Sequence, residues 1–225
     1  MRIDLIAFDL NGTLLDMSAL DPHFARAFGS AGLREKWFEE LQALWMTASM
    51  TGRYKPFDKL AKAAIEMLAV REAVPLKVTE ETALLETMKQ LPAYPEVPDA
   101  LVRLRASGRP IVALTNGTMS SARAQLAHAS IAHLFDGVFS ADEIRRYKPA
   151  PEAYLQVLRA IGVEPTHALL VAAHAWDISG AQAVGMRTAF VQRPRQSLSP
   201  LGKKPDLSVV DLHALANKLD ALNER

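Results

Sequence analysis

Asp9 is the carboxylate best placed to act as a nucleophile. It closes the apolar run Leu5-Ile6-Ala7-Phe8 and is followed by Leu10-Asn11-Gly12-Thr13-Leu14. An apolar run too short for a helix, ending in a glycine turn, reads as a buried parallel strand that delivers Asp9 to its C-terminal tip. Ligands of open α/β sheets bind at that end of the strands. Gly12 lets the chain turn tightly, and the Thr13 hydroxyl can hold and orient the carboxylate. The plainer reading makes Asp9 a cap on the segment that follows.

Three later segments repeat this setting. Thr115-Asn116-Gly117-Thr118 follows the apolar run Ile111-Val112-Ala113-Leu114. Its hydroxyl and amide suit an anion or a departing group, although Asn116 or Thr118 would also serve as a helix N-cap. Lys148 stands before Pro149 and Pro151 on a stiff loop at the start of a helix. Beside Asp9 it would keep the carboxylate ionised and offset developing charge, whereas a solvated lysine is the commoner case. Ala168-Leu169-Leu170-Val171-Ala172-Ala173 is a further buried strand, running into a loop with His174, Trp176, Asp177 and Gly180. Asp177 could pair with Lys148 or orient a water. The alternatives are an N-cap for Asp177, local hydrogen bonding for His174 and simple packing for Trp176.

These tips need a frame. Phe24, Ala27, Phe28 and Ala31 share one helical face, as do Phe38, Leu41, Leu44 and Trp45, and then Leu60, Ala63, Ala64, Met67 and Leu68. The chain thus reads as helical from about Ser18 to Gln90, broken at Pro56 and Pro75, and ends in a proline-dense hinge at 91–98. Helices over 100–106, 122–129, 152–161 and from 180 alternate with strands over 110–114, 138–139, 168–173 and 188–191, with 207–210 before a final helix. The pattern predicts a Rossmann-like doubly wound parallel α/β sheet with right-handed crossovers. Residues 1–16 and 91–225 form this core, and 17–90 form an inserted helical cap over the strand tips.

Composition narrows the function classes. The 225 residues carry a net charge of +1, which gives no reason to invoke nucleic acid or an anionic membrane. Cysteine is absent, so a thiolate nucleophile, a disulfide framework and a Cys-bound zinc are excluded. The histidines lack metal-ligand spacing. No apolar stretch has the length of a membrane span or signal peptide, and the expected compartment is the cytosol.

The four tips, bearing Asp9, Thr115 with Asn116, Lys148 and Asp177 in that order, resemble the haloacid dehalogenase superfamily over almost the whole chain. The Leu-Thr-Asn-Gly-Thr, Lys-Pro-x-Pro-x-x-Tyr and Ala-Trp-Asp-x-x-Gly-Ala runs are similar to its (S)-2-haloacid dehalogenase subgroup. By that resemblance Asp9 attacks the halogen-bearing carbon of a small 2-haloacid and forms an ester. Lys148 holds Asp9 ionised, and Thr115 and Asn116 contact the substrate carboxylate or the halide. Asp177 positions water, and Tyr154 supports the water network. Asn11, His174, Trp176 and Met46 fall on the substrate side. The resemblance implies no cofactor, and a homodimer formed through cap and core helices.

Phosphatases of the superfamily place a proton-shuttling acid where Asn11 stands, and a magnesium-binding Asp where Ala173 stands. Losing both argues against the magnesium-dependent alternative. The dehalogenase subgroup itself has an aromatic residue at the Asn11 position, and Ser and Asn where Ala172 and His174 stand. It also has a cap arginine that cradles the halide, where alignment gives Met46 and offers Arg53 as a substitute. These departures also allow a third reading, an idle member acting by binding.

Overall fold

The computed structural model describes residues 2–223. Six parallel strands form one sheet: β1 (Leu5–Phe8), β2 (Ile111–Thr115), β3 (Gly137–Ser140), β4 (Ala168–Ala172), β5 (Arg187–Val191) and β6 (Leu207–Val209). Their order across the sheet is β3-β2-β1-β4-β5-β6. Strands β1, β2 and β4 are buried along their whole length. This explains their unbroken apolar sequences, because helices cover both faces of a parallel sheet.

The helices on the sheet are α5 (Val97–Arg105), α6 (Met119–His128), α7 (Pro151–Ile161), α8 (Ala175–Ala183) and α9 (Leu212–Asn223). Strand order reverses direction at β1, so right-handed crossovers put α5 and α6 on one face and α7 and α8 on the other. Packing agrees, with α5 against α9 and α7 against α8. At the reversal, β1 lies between β2 and β4, in register at Phe8 with Ala113 and Val171. A ligand crevice belongs there.

Between β1 and β2 the chain forms α1 (Asp21–Phe28), α2 (Leu33–Thr51), α3 (Phe57–Arg71) and α4 (Val78–Thr87). Helices α2 and α3 pack along each other through Trp37, Leu41, Trp45, Leu60, Ala61 and Ala64, all buried. Pro56 caps α3 and Pro75 lies between α3 and α4, where the sequence places the breaks. The helical block is tied down on one side: Asp142 accepts from the Phe57 N–H at 2.9 Å, and Ser49 Oγ accepts from the Tyr147 N–H at 3.0 Å.

One expected element is displaced. Helix α8 starts at Ala175 rather than Gly180, so Trp176 and Asp177 lie in its first turn and not in a loop. Its N-cap, His174, makes no side-chain capping bond, which is why no cap signal marks the start. Gly180 is needed inside this helix, since a Cβ there would lie 2.8 Å from Pro149 Cβ.

Candidate active site

The strand tips deliver their polar groups to one buried cluster. Lys148 is fully buried, and its ammonium donates to Asp9 Oδ1 at 2.8 Å, Asp177 Oδ2 at 2.7 Å and the Leu114 carbonyl at 3.0 Å. Three acceptors match its three N–H bonds. Thr13 donates to Asp9 Oδ2 at 2.7 Å and accepts from the Ala173 N–H at 3.0 Å, coupling the β1 loop to the end of β4. Gly12, at φ +78°, makes that loop possible. His174 Nδ1 lies 3.2 Å from Asp9 Oδ2, and Tyr154 donates to Asp177 Oδ1 at 2.6 Å.

Asn116 acts one step back. Its Oδ1 accepts from the Lys148 N–H at 2.7 Å and its Nδ2 donates to the Lys148 carbonyl at 3.3 Å. This fixes the backbone that carries the ammonium. Thr115 Oγ1 accepts from the Gly117 N–H at 3.0 Å, and Thr118 is the true N-cap of α6.

Electrostatics separate the two carboxylates. Burial alone would raise the pKa of Asp9, but Lys148 and His174 outweigh it and hold the carboxyl well below the usual range. Burial raises Asp177, the Asp9 charge adds to this, and Lys148 and Tyr154 only partly compensate. Burial lowers Lys148, but two carboxylates more than reverse this. Asp9 is therefore a carboxylate held by donors at a strand tip, with its pKa depressed.

The match of residues 3–185 to the model of the haloacid dehalogenase-like hydrolases decides the family. The chain belongs to it. Among curated relatives, the chain is 32% identical to the (S)-2-haloacid dehalogenase 2 of Pseudomonas sp. strain CBS-3, over 96% of this chain and 95% of the relative. It is similar in structure to the L-2-haloacid dehalogenase RSc1362, with TM-score 0.93, 29% identity and coverage of 98% and 100%. The fold also matches the L-2-haloacid dehalogenase of Xanthobacter autotrophicus with chloropropionic acid covalently bound, at TM-score 0.91, 22% identity and coverage of 98% and 100%.

Within this haloacid dehalogenase-like hydrolase, the substrate-side residues divide. A cavity of about 540 Å³ adjoins the cluster, lined among others by Gly12, Arg34, Phe38, Gln42, His174 and Trp176. Asn11 faces away from it: its Oδ1 accepts from Gln125 Nε2 at 2.9 Å, and it lines a second cavity with Phe57 and Thr118. Met46 is half-buried and lines neither cavity, and Arg53 is exposed. The arginine of α2 that does reach the large cavity is Arg34, and Asp21 engages its Nε.

What the sequence reading missed is the part of α2 that covers His174 and Trp176. Phe38 stacks on His174 with centroids 5.5 Å apart, and Trp176 stacks on His174 at 5.2 Å. Trp45 packs on Phe38 at 5.6 Å and on Trp176 at 5.5 Å. The signal for it was present: Arg34, Phe38 and Gln42 recur at four-residue spacing, one face of α2. Among the described residues no three His, Asp or Glu side chains converge as metal ligands would.

Proposed function

We propose that this hydrolase cleaves the carbon–halogen bond of a small 2-haloacid through a covalent ester on Asp9, without metal. The observation that carries this reading is the Asp9–Lys148–Asp177 cluster. It keeps a nucleophilic carboxylate ionised and directs both carboxylates at an ammonium. The acid that phosphatases of the superfamily use to protonate a leaving oxygen is replaced by Asn11, whose amide is bonded to Gln125. A halide leaves without a proton.

In this reading Asp9 attacks carbon 2, supported by Thr13 and Lys148, and the halide departs. Asp177, held by Lys148 and Tyr154, orients the water that opens the ester and returns Asp9 with a 2-hydroxy acid. Thr115 and Asn116 keep the Lys148 loop in place beside the substrate. His174 and Trp176 wall the site. The cap comprises residues 17–90, the compartment is the cytosol, and the dimer implied by the family is checked by analytical ultracentrifugation. The names of the relatives support the substrate class. The test is release of chloride or bromide from (S)-2-chloropropionate and (S)-2-bromopropionate in the presence of EDTA. Release under these conditions is the expected result. Phosphate release from phosphoesters only when magnesium is added would replace this reading with the phosphatase one.

A further inference from the structure

Arg34, Arg193 and Arg195 line the cavity, but each is engaged by a carboxylate, Asp21, Glu96 and Glu35 in turn; the cavity-lining side chain in direct contact with Asp9 is His174. His174 is 4% exposed and is held on both ring faces, by Phe38 and Trp176. Its Nδ1 is fixed on Asp9 Oδ2 at 3.2 Å. A carboxylate oxygen only accepts, so Nδ1 carries a hydrogen. The ring lines the cavity, and a Cβ on Gly12 would lie 3.1 Å from Nε2. A side chain at position 12 would therefore crowd this ring, and the φ of +78° there also favours glycine.

Asp9 and Asp177 share the single ammonium of Lys148, and His174 approaches this pair from the Asp9 side. Nδ1 is occupied by Asp9, and Nε2 is the ring nitrogen left for a ligand of the cavity that the ring lines. In-line attack places the leaving atom roughly 5 Å from the attacking oxygen, a near-attack separation of about 3–3.5 Å plus one bond. The far nitrogen of an imidazole whose near nitrogen touches that oxygen stands at a comparable distance.

We propose that His174 cradles the departing group through its Nε2–H, replacing a cap arginine, and that this makes the enzyme's preference among halogens depend on hydrogen bonding. The proposal rests on the dehalogenase reading above. As the bond from Asp9 oxygen to carbon 2 forms, the carbon–halogen bond breaks and its electron pair leaves on the halide. The halide accepts a hydrogen bond from Nε2 and the proton stays on His174. Fluoride is the strongest acceptor of the halides and the poorest leaving group, so it gains most from this donor.

The experiment compares kcat/KM for halide release from (S)-2-fluoro-, (S)-2-chloro- and (S)-2-bromopropionate, which reports steps up to halide departure. Wild type is set beside His174→Asn, His174→Gln and Arg34→Met, each checked for folding by its melting curve. In the His174 variants the fluoride value is expected to fall by about 10²-fold or more, as for loss of one preorganised donor, and the bromide value by less than about tenfold. Either His174 variant that folds suffices. An equal fall for all three halogens means that His174 only positions Asp9, and overturns the proposal. So does a change in the halogen ratio on removing Arg34 with none on changing His174. Failure of the wild type to release any halide instead removes the dehalogenase reading itself.

Discussion

The floor and the lid of this site are built on opposite principles. On the floor, Asp9, Lys148, Asp177, Tyr154, Thr13 and Asn116 form a buried network whose ammonium and carboxylates have partners. On the lid, Phe38 and Trp176 stack on His174, and Trp45 packs against both of them. The floor fixes a charge in place and the lid packs apolar rings beside it. A fixed charge in a dry site interacts more strongly with a developing one than it would in water. Changes to the floor should therefore cost more than changes at its edge.

The largest effect expected is from Asp9→Asn, which leaves the shape of the floor and removes the proposed nucleophile. Turnover should drop by at least about 10⁴-fold, in line with loss of a nucleophile elsewhere. The check is halide release together with mass analysis of the Asp9 peptide after a single turnover in H₂¹⁸O. Wild type should carry the label on Asp9 and the variant should not. Residual activity near the wild-type rate would move the chemistry off the floor.

Lys148→Met comes next, and it tests stability as well as rate. Removing the ammonium leaves two carboxylates facing each other in a buried site, and breaking such a pair costs about 3–5 kcal/mol. The melting temperature should fall, and Lys148→Met combined with Asp177→Asn should recover part of the loss. Tyr154→Phe removes one donor to Asp177 and should cost about 1.5–3 kcal/mol, the range for a hydrogen bond to a charged group. Equal losses for the two single variants would show that the network is not centred on the ammonium.

The two carboxylates should also part company with pH. The pKa of Asp9 is depressed, so its stabilisation is present above the ordinary carboxylate value of about 3.9 and is lost as pH falls through the lower folded value. Asp177 is raised, so its ionisation destabilises the fold above its folded pKa, and that cost is relieved on acidification through it. Mild acid should therefore protonate Asp177 before Asp9. Melting curves recorded against pH should lose their mildly acidic dependence in Asp177→Asn, and their dependence below the usual carboxylate range in Asp9→Asn.

The floor was legible in the sequence, as were His174 and Trp176 of the lid, but the α2 side of the lid was not. Asp9, Thr13, Asn116 and Asp177 stand shortly after the ends of buried strands, Lys148 lies on the loop between β3 and α7 and Tyr154 in α7 itself, and the parallel topology brings strand ends together. Asp9, Thr115, Lys148 and Asp177 could therefore be placed without knowing any helix orientation. The lid depends on which face α2 turns to the core. The sequence places Phe38 on one face with Leu41, Leu44 and Trp45, whereas in the structure Phe38 lines the cavity in a row with Arg34 and Gln42. Nothing local says that this row meets His174. Met46 was taken for a substrate contact for the same reason, being one residue from Trp45 on a helix whose rotation was unknown. The start of α8 was misplaced because His174, used in the site, gives no capping signal.

Asn11 lies on the border between the two regions, and its variant should have the smallest effect. It follows the nucleophile by two positions, where position alone suggests substrate contact. Its side chain instead accepts from Gln125, which also donates to the Met88 carbonyl at 2.6 Å. Asn11→Ala should cost about 0.5–1.5 kcal/mol of stability, the net worth of an ordinary hydrogen bond, and should leave kcat/KM for halide release within a few-fold. Gln125→Ala, which also loses the bond to the Met88 carbonyl, should cost more stability than Asn11→Ala and leave the rate equally intact, because both act on a brace between the Asp9 loop and α6. A loss of rate in Asn11→Ala on the scale of Lys148→Met, with Gln125→Ala still active, would place Asn11 in the floor and erase the border drawn here.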